Sequence, residues 1–169
     1  VVERPASIVK EIMENAIDAG ADKITLEIKR GGITYIRITD NGCGIDRGNI
    51  RKAFISHATS KISTADDLNA ICTLGFRGEA LASIAAVSRV EVMTRSENED
   101  VGTRYCIEGG EETVLDDAGC PKGTTLIVRD LFYNTPARMK FLKKDVSEGN
   151  AVAAVVDRIA LSHPEVSVR

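Results

Sequence analysis

The hydrophobic period of this chain switches from helical to strand spacing between Ser7 and Thr39, and that switch limits the layers it can build. From Ser7 to Gly20, six apolar residues (Ile8, Val9, Ile12, Met13, Ala16 and Ile17) fill one half-circle at ~100° per residue, the pattern of a one-sided helix. Directly afterwards Ile24, Leu26 and Ile28 alternate with Thr25, Glu27 and Lys29, as in a half-buried strand. Gly31-Gly32 is expected to form a two-residue turn, from which Ile33 to Thr39 returns as a second strand. Further on, strands are expected at Arg89–Thr94, Thr103–Ile107, Glu112–Leu115 and Thr124–Val128. Helices are expected after Asp46 through Phe54, at Asp66–Ile71, at Glu79–Val87, from Pro136 through Leu142, and at Asn150–Leu161. The fold class is therefore α+β: a mixed, mainly antiparallel sheet with helices on one face.

Composition excludes several classes. At 169 residues with 43% hydrophobic and 28% charged, the chain has the make-up of a globular protein, and no apolar run approaches the ~18 residues of a membrane span. Its net charge of -3 gives no support to a DNA-binding or anionic-membrane role. Four cysteines without a CxxC pair, and two histidines, point to free thiols in a reducing compartment rather than a disulfide framework or a zinc site. Val1 begins without Met beside a helix, and Glu165–Arg169 reads as a strand start with no partner following it. A fragment of a longer protein is expected.

The polar residues are less ordinary. Glu11, Asn15 and Asp18 cluster within ~60° on the helix face opposite the apolar stripe. Asn is a poor helix former because its amide competes for backbone hydrogen bonds, so a carboxylate one turn before it suggests a cation and a water as readily as a solvated face. Asp40 shares parity with Ile36 and Ile38, which puts a carboxylate on the buried side of a strand. The glycines of Asn41-Gly42-Cys43-Gly44 then let backbone approach whatever Asp40 holds. Gly75-Phe76-Arg77-Gly78 ahead of a helix has the unpaired N–H groups and dipole of an anion site, although such a loop can equally be a plain turn. Lys61, beside Thr59 and Ser60, is either a second cation or a solvated lysine. Gly123-Thr124-Thr125 matters to the site only if its strand lies beside the one bearing Asp40.

Together these pieces resemble the GHKL ATPase superfamily of gyrase B subunits, Hsp90 chaperones, histidine kinases and MutL mismatch-repair proteins. Its four motifs stand in order: Glu11-xxx-Asn15-xx-Asp18-Ala19-Gly20, Asp40-Asn41-Gly42-Cys43-Gly44, Gly75-Phe76-Arg77-Gly78-Glu79 and Gly123-Thr124-Thr125. Val1 to Pro5, His57-Ala58-Thr59-Ser60-Lys61, Gly75 to Leu81, and Asp130 to Arg138 look like the MutL family in particular. The resemblance implies a Bergerat-type two-layer α/β sandwich over residues 1–132, lacking its first helix, with residues 133–169 opening a second, transducer-like subdomain.

The resemblance also implies roles. Asn15 would hold Mg²⁺ together with the phosphates of ATP, and Glu11 would be the general base toward water. Glu14, the competing base, sits ~100° from Asn15 around the helix. Asp18 would orient the site or simply end the helix. Asp40 would accept the adenine amino hydrogen, with Thr125 or a water beside it and Gly42 and Gly44 permitting close approach. Thr59, Lys61, Arg77 and Gly78 would contact phosphates, and Phe76 would either touch ligand or anchor the lid. A slow ATPase, whose N-terminal regions self-associate on binding ATP, is implied, with a MutS-type protein and DNA as partners and no membrane. The implied location is cytoplasmic (nucleoid-associated in a bacterium, nuclear in a eukaryote). The alternatives are another GHKL ATPase of gyrase B or histidine kinase type, or an ATP-binding module without turnover in this fragment.

Overall fold

The computed structural model describes residues 2–55 and 78–169. The first helix, α1 (Pro5–Asp18), opens on a proline at its first turn, where a missing N–H costs nothing, and so begins two residues before the expected Ser7. Strands β1 (Lys23–Lys29) and β2 (Tyr35–Asp40) follow, then a short helix α2 (Ile50–Ala53) and helix α3 (Gly78–Ala86). Next come β3 (Arg89–Arg95), β4 (Gly102–Glu108), β5 (Glu111–Ala118) and β6 (Gly123–Arg129). The short helix α4 (Pro136–Met139), the long helix α5 (Asp145–Ser162) and strand β7 (Ser167–Val168) complete the order.

Among the described residues the strands form one seven-stranded sheet in the order β5-β4-β3-β6-β2-β1-β7. Every neighbouring pair is antiparallel except β1 with β7. One face carries Ile24, Ile36, Ile38, Leu126, Val90, Val92 and Tyr105, all buried in the core with residues of α1 and α3. The opposite face carries charge: Glu91 accepts from Arg104 at 2.6 Å and from Arg129 at 3.2 Å. The α+β expectation holds, and Asp40 does share the helix-covered face with Ile36 and Ile38. Among the described residues no helix is long and apolar enough to cross a membrane.

Several local expectations are corrected. The first hairpin is not closed by a two-residue turn. Arg30–Gly32 form a 3-10 turn with Arg30, Gly31 and Gly32 all at positive φ, and β2 starts at Tyr35 rather than Ile33. Helix α5 sets this shape: a Cβ on Gly31 would lie 2.4 Å from the Asp145 carbonyl oxygen, so glycine admits the helix. Arg4 locks the same corner by donating to the buried Glu148 carboxylate at 2.9 Å.

Asp46 precedes a 3-10 turn at Arg47–Asn49 without capping it, because its carboxylate accepts from the Ser96 hydroxyl instead. The helix at Pro136 stops at Met139, leaving Phe141 81% exposed. The C-terminal strand pairs with a segment that precedes it in the chain. It adds to β1, with Ser167 N–H donating to Asp22 at 2.8 Å and Leu26 N–H to Arg169 at 2.8 Å. Cys106 and Cys120 are free, whereas Cys43 is disulfide-bonded, which departs from the expectation of free thiols throughout. The expected helix at Asp66–Ile71 lies outside the described residues.

Candidate nucleotide site

Two motifs meet because β6 lies between β2 and β3, so the strand that opens at Gly123 runs directly beside the one that ends at Asp40. Above them lies α1, and α3 closes the far side. A narrow cleft with a cavity volume of about 20 Å³ forms there. Asn15, Asp40 and Thr124 supply its polar atoms, and Ile12, Ile38, Leu81 and Leu126 its apolar walls.

Asn15 is 4% exposed, and among the described residues neither its amide oxygen nor its amide nitrogen has a partner. Leaving both ends of a buried amide unpaired costs about 1–3 kcal/mol per group, which marks the position as built for something other than stability. Glu11 lies one turn earlier on the same helix, half-buried, just outside the residues that line the cleft. Glu14 lies toward α5, within 3.8 Å of Lys10. Asp18 is exposed at the last position of α1.

Burial pushes the Asp40 carboxyl up to about 6, against the opposing pull of hydrogen bonds from the Gly42 and Thr124 backbone N–H groups. The Gly42 N–H donates at 2.8 Å. Because the folded value lies above the ordinary 3.8, the fold binds this proton more tightly than the unfolded chain does. The penalty is absent below the unfolded value, grows between the two, and is complete above the folded one. As pH rises from 4 to 7, the stability of the wild type relative to Asp40→Asn is expected to fall by about 2–3 kcal/mol. Urea denaturation of both proteins across that range measures it, and a pH-independent difference would remove the assignment.

Motif two also holds itself together. The Asn41 side chain accepts from the Asp22 and Lys23 N–H groups at 3.0 Å each and donates to the Asp22 carboxylate at 2.6 Å. Gly42 sits where a Cβ would come within 2.9 Å of the Ala19 carbonyl oxygen. Gly44, at φ +72, is required by the Arg95 carbonyl, which a Cβ would approach to 2.1 Å. Its glycine serves the packing of this loop on β3.

One expectation fails on register. Asp40 pairs with Thr124, and Thr125 pairs with Thr39. Thr125 therefore points to the opposite face, where its hydroxyl lies 3.1 Å from that of Thr39. Thr124 takes the place expected of Thr125. Sequence reasoning also passed over Ile12 and Leu81 as walls, although both stand at core spacing on their helices. Gly78 is the first residue of α3, whereas Thr59, Lys61, Phe76 and Arg77 lie outside the described residues. Among the described residues, no group of three or more His, Cys, Asp and Glu side chains converges as a metal site.

A family model described as histidine kinase-, DNA gyrase B-, and HSP90-like ATPase matches residues 3–109. The chain belongs to that ATPase family. Within the family its likeness is to MutL. It is 58% identical to the DNA mismatch repair protein MutL of Agathobacter rectalis over all of this chain and 26% of that protein. It is 56% identical to the MutL of Caldanaerobacter subterraneus subsp. tengcongensis over all of this chain and 29% of that one. The chain thus spans between a quarter and a third of these relatives. Among solved structures, the Aquifex aeolicus MutL ATPase domain complexed with ADP matches with a TM-score of 0.80 and 33% identity. That match covers 99% of this chain and 59% of the Aquifex chain. The family of the chain and the fold of its sheet agree with the four-motif reading.

Proposed function

We propose that this chain is the nucleotide-binding region of a MutL-type DNA mismatch-repair protein, and that it binds Mg-ATP in the cleft between α1 and the β2–β6 strand pair. Asn15 carries the reading: a buried amide with neither end paired among the described residues is costly unless a ligand completes it. It lines the same cleft as a carboxylate whose burial is equally unfavourable. Asp40 would receive the adenine amino group. Thr124 stands directly beside it, and the apolar walls at Ile38, Leu81 and Leu126 would cover the base.

Asn15 would hold a magnesium ion through its amide oxygen. The bound ion would neutralise phosphate charge and align the terminal phosphoryl group. The first turn of α3 at Gly78, with Arg77, Lys61 and Thr59, would donate to the phosphates, and Phe76 would either touch the ligand or anchor the lid. Glu11 would take a proton from the attacking water as its oxygen bonds to the γ-phosphorus and the bond to the bridging oxygen breaks, releasing ADP and phosphate. Glu14 is less suited, since Lys10 shares its side of the helix.

At the level of the whole protein, slow hydrolysis would reset an ATP-driven association of two such regions, in concert with a MutS-type partner on DNA in the bacterial cytoplasm. Calorimetry of the full-length protein with a non-hydrolysable ATP analogue, with and without Mg²⁺, tests the site. One nucleotide per chain, bound more tightly with the ion, is expected. A folded sample that binds none would overturn the reading.

A further inference from the structure

Asp40, Thr124 and Thr94 stand directly opposite one another on the adjacent strands β2, β6 and β3. Their side chains share the helix-covered face, but only the first two line the cleft. Thr94 is fully buried behind them, at 0% exposure.

Its hydroxyl has three neighbours. The Ile45 N–H donates to it at 2.9 Å, the Gly123 carbonyl oxygen lies at 3.0 Å, and the Thr124 hydroxyl oxygen lies at 2.9 Å. A threonine hydroxyl has one hydrogen and two lone pairs. The Gly123 carbonyl can only accept, so it takes the Thr94 hydrogen. The Ile45 N–H occupies one lone pair. What remains for Thr124 is the other lone pair, and Thr124 must donate its own hydrogen to Thr94.

We propose that Thr94 is a positioning residue for nucleotide selection: it draws the Thr124 hydroxyl hydrogen away from the cleft and leaves only lone pairs facing in beside the Asp40 carboxylate. This inference rests on the nucleotide reading above. The sheet wall of the cleft then offers two hydrogen-bond acceptors side by side and no hydroxyl donor. An exocyclic amino group, which has two hydrogens to give, satisfies that wall. A carbonyl oxygen at the same place meets two acceptors and gains nothing. The cleft is thereby set for a 6-amino purine against a 6-oxo purine, and a residue that touches neither enforces half of that choice.

The test compares ADP with IDP, whose bases carry a 6-amino and a 6-oxo edge respectively, by calorimetry on the full-length protein. Thr94→Val keeps the shape and deletes the hydroxyl, freeing the Thr124 hydrogen to turn into the cleft. The ADP-over-IDP preference is expected to narrow by about tenfold in Thr94→Val, the worth of one hydrogen bond, and to be retained in Thr94→Ser. A preference unchanged in a folded Thr94→Val protein overturns the inference while leaving the nucleotide reading standing.

Thr124→Val decides the same point without altering Thr94, and so serves if Thr94→Val does not fold. A lone-pair acceptor at Thr124 requires that this variant weaken ADP and spare IDP. Weakening of IDP alone would mean that Thr124 donates, and the inference fails. A wild-type protein that binds neither nucleotide overturns the underlying reading and this inference with it.

Discussion

Glu11→Gln in the full-length protein is expected to lower the rate of ATP hydrolysis by two to four orders of magnitude, roughly the worth of a positioned general base, while nucleotide affinity stays unchanged. The variant keeps the shape and polarity of the side chain and removes only the ability to take a proton. Glu11 does not line the cleft, so binding should not register its loss. It lies one turn from Asn15 on the same helix, where a water beside the bound ion would be within reach. Glu14→Gln is the matched control, and should leave turnover near wild type because that carboxylate lies toward Lys10 and α5. Single-turnover hydrolysis alongside calorimetric affinity separates the two quantities. Unchanged turnover in Glu11→Gln with normal binding would remove Glu11 as the base.

Asp40→Asn is expected to weaken ADP binding by about ten- to a hundredfold, the loss of one charge-assisted hydrogen bond. The carboxylate accepts the Gly42 N–H and also a backbone hydrogen bond from Thr124. An amide has one oxygen and one NH₂ group. It cannot keep both backbone bonds and still present an acceptor to the cleft. Isothermal titration with ADP measures the loss. Because the buried carboxylate is a stability burden at neutral pH, the bound amino group would offset a penalty already present in the fold. An affinity equal to wild type would show that the base is held elsewhere.

Much of this arrangement was legible in one sequence, and the gaps have physical causes. The amphipathic stripe of α1 and the alternation of β1 are local patterns, and local geometry alone produces them. Asp40 was readable as buried because parity along one strand needs no knowledge of its neighbours. Thr125 was misassigned because β6 reads Leu126-Ile127-Val128, apolar at both parities, so no alternation reveals which threonine faces the helices. All three of those residues are buried. The pairing of Asp40 with Thr124 spans distant parts of the chain, and a slip of one residue exchanges the two faces. The hairpin turn was misjudged for a similar reason: its shape answers to Asp145 on α5, which no reading of Gly31-Gly32 in isolation contains. Phe141 fell outside its expected helix because α4 ends after one turn.

The sequence by itself determined the layers, the family and the four motif segments, since each is a property of consecutive residues. Only the tertiary structure decided which threonine stands beside Asp40, that β7 adds to the sheet beside β1, and that Asn15 is enclosed with neither end of its amide paired among the described residues. Those are matters of register and enclosure between distant segments. They are set by how strands pair and helices pack, and a one-dimensional pattern carries neither.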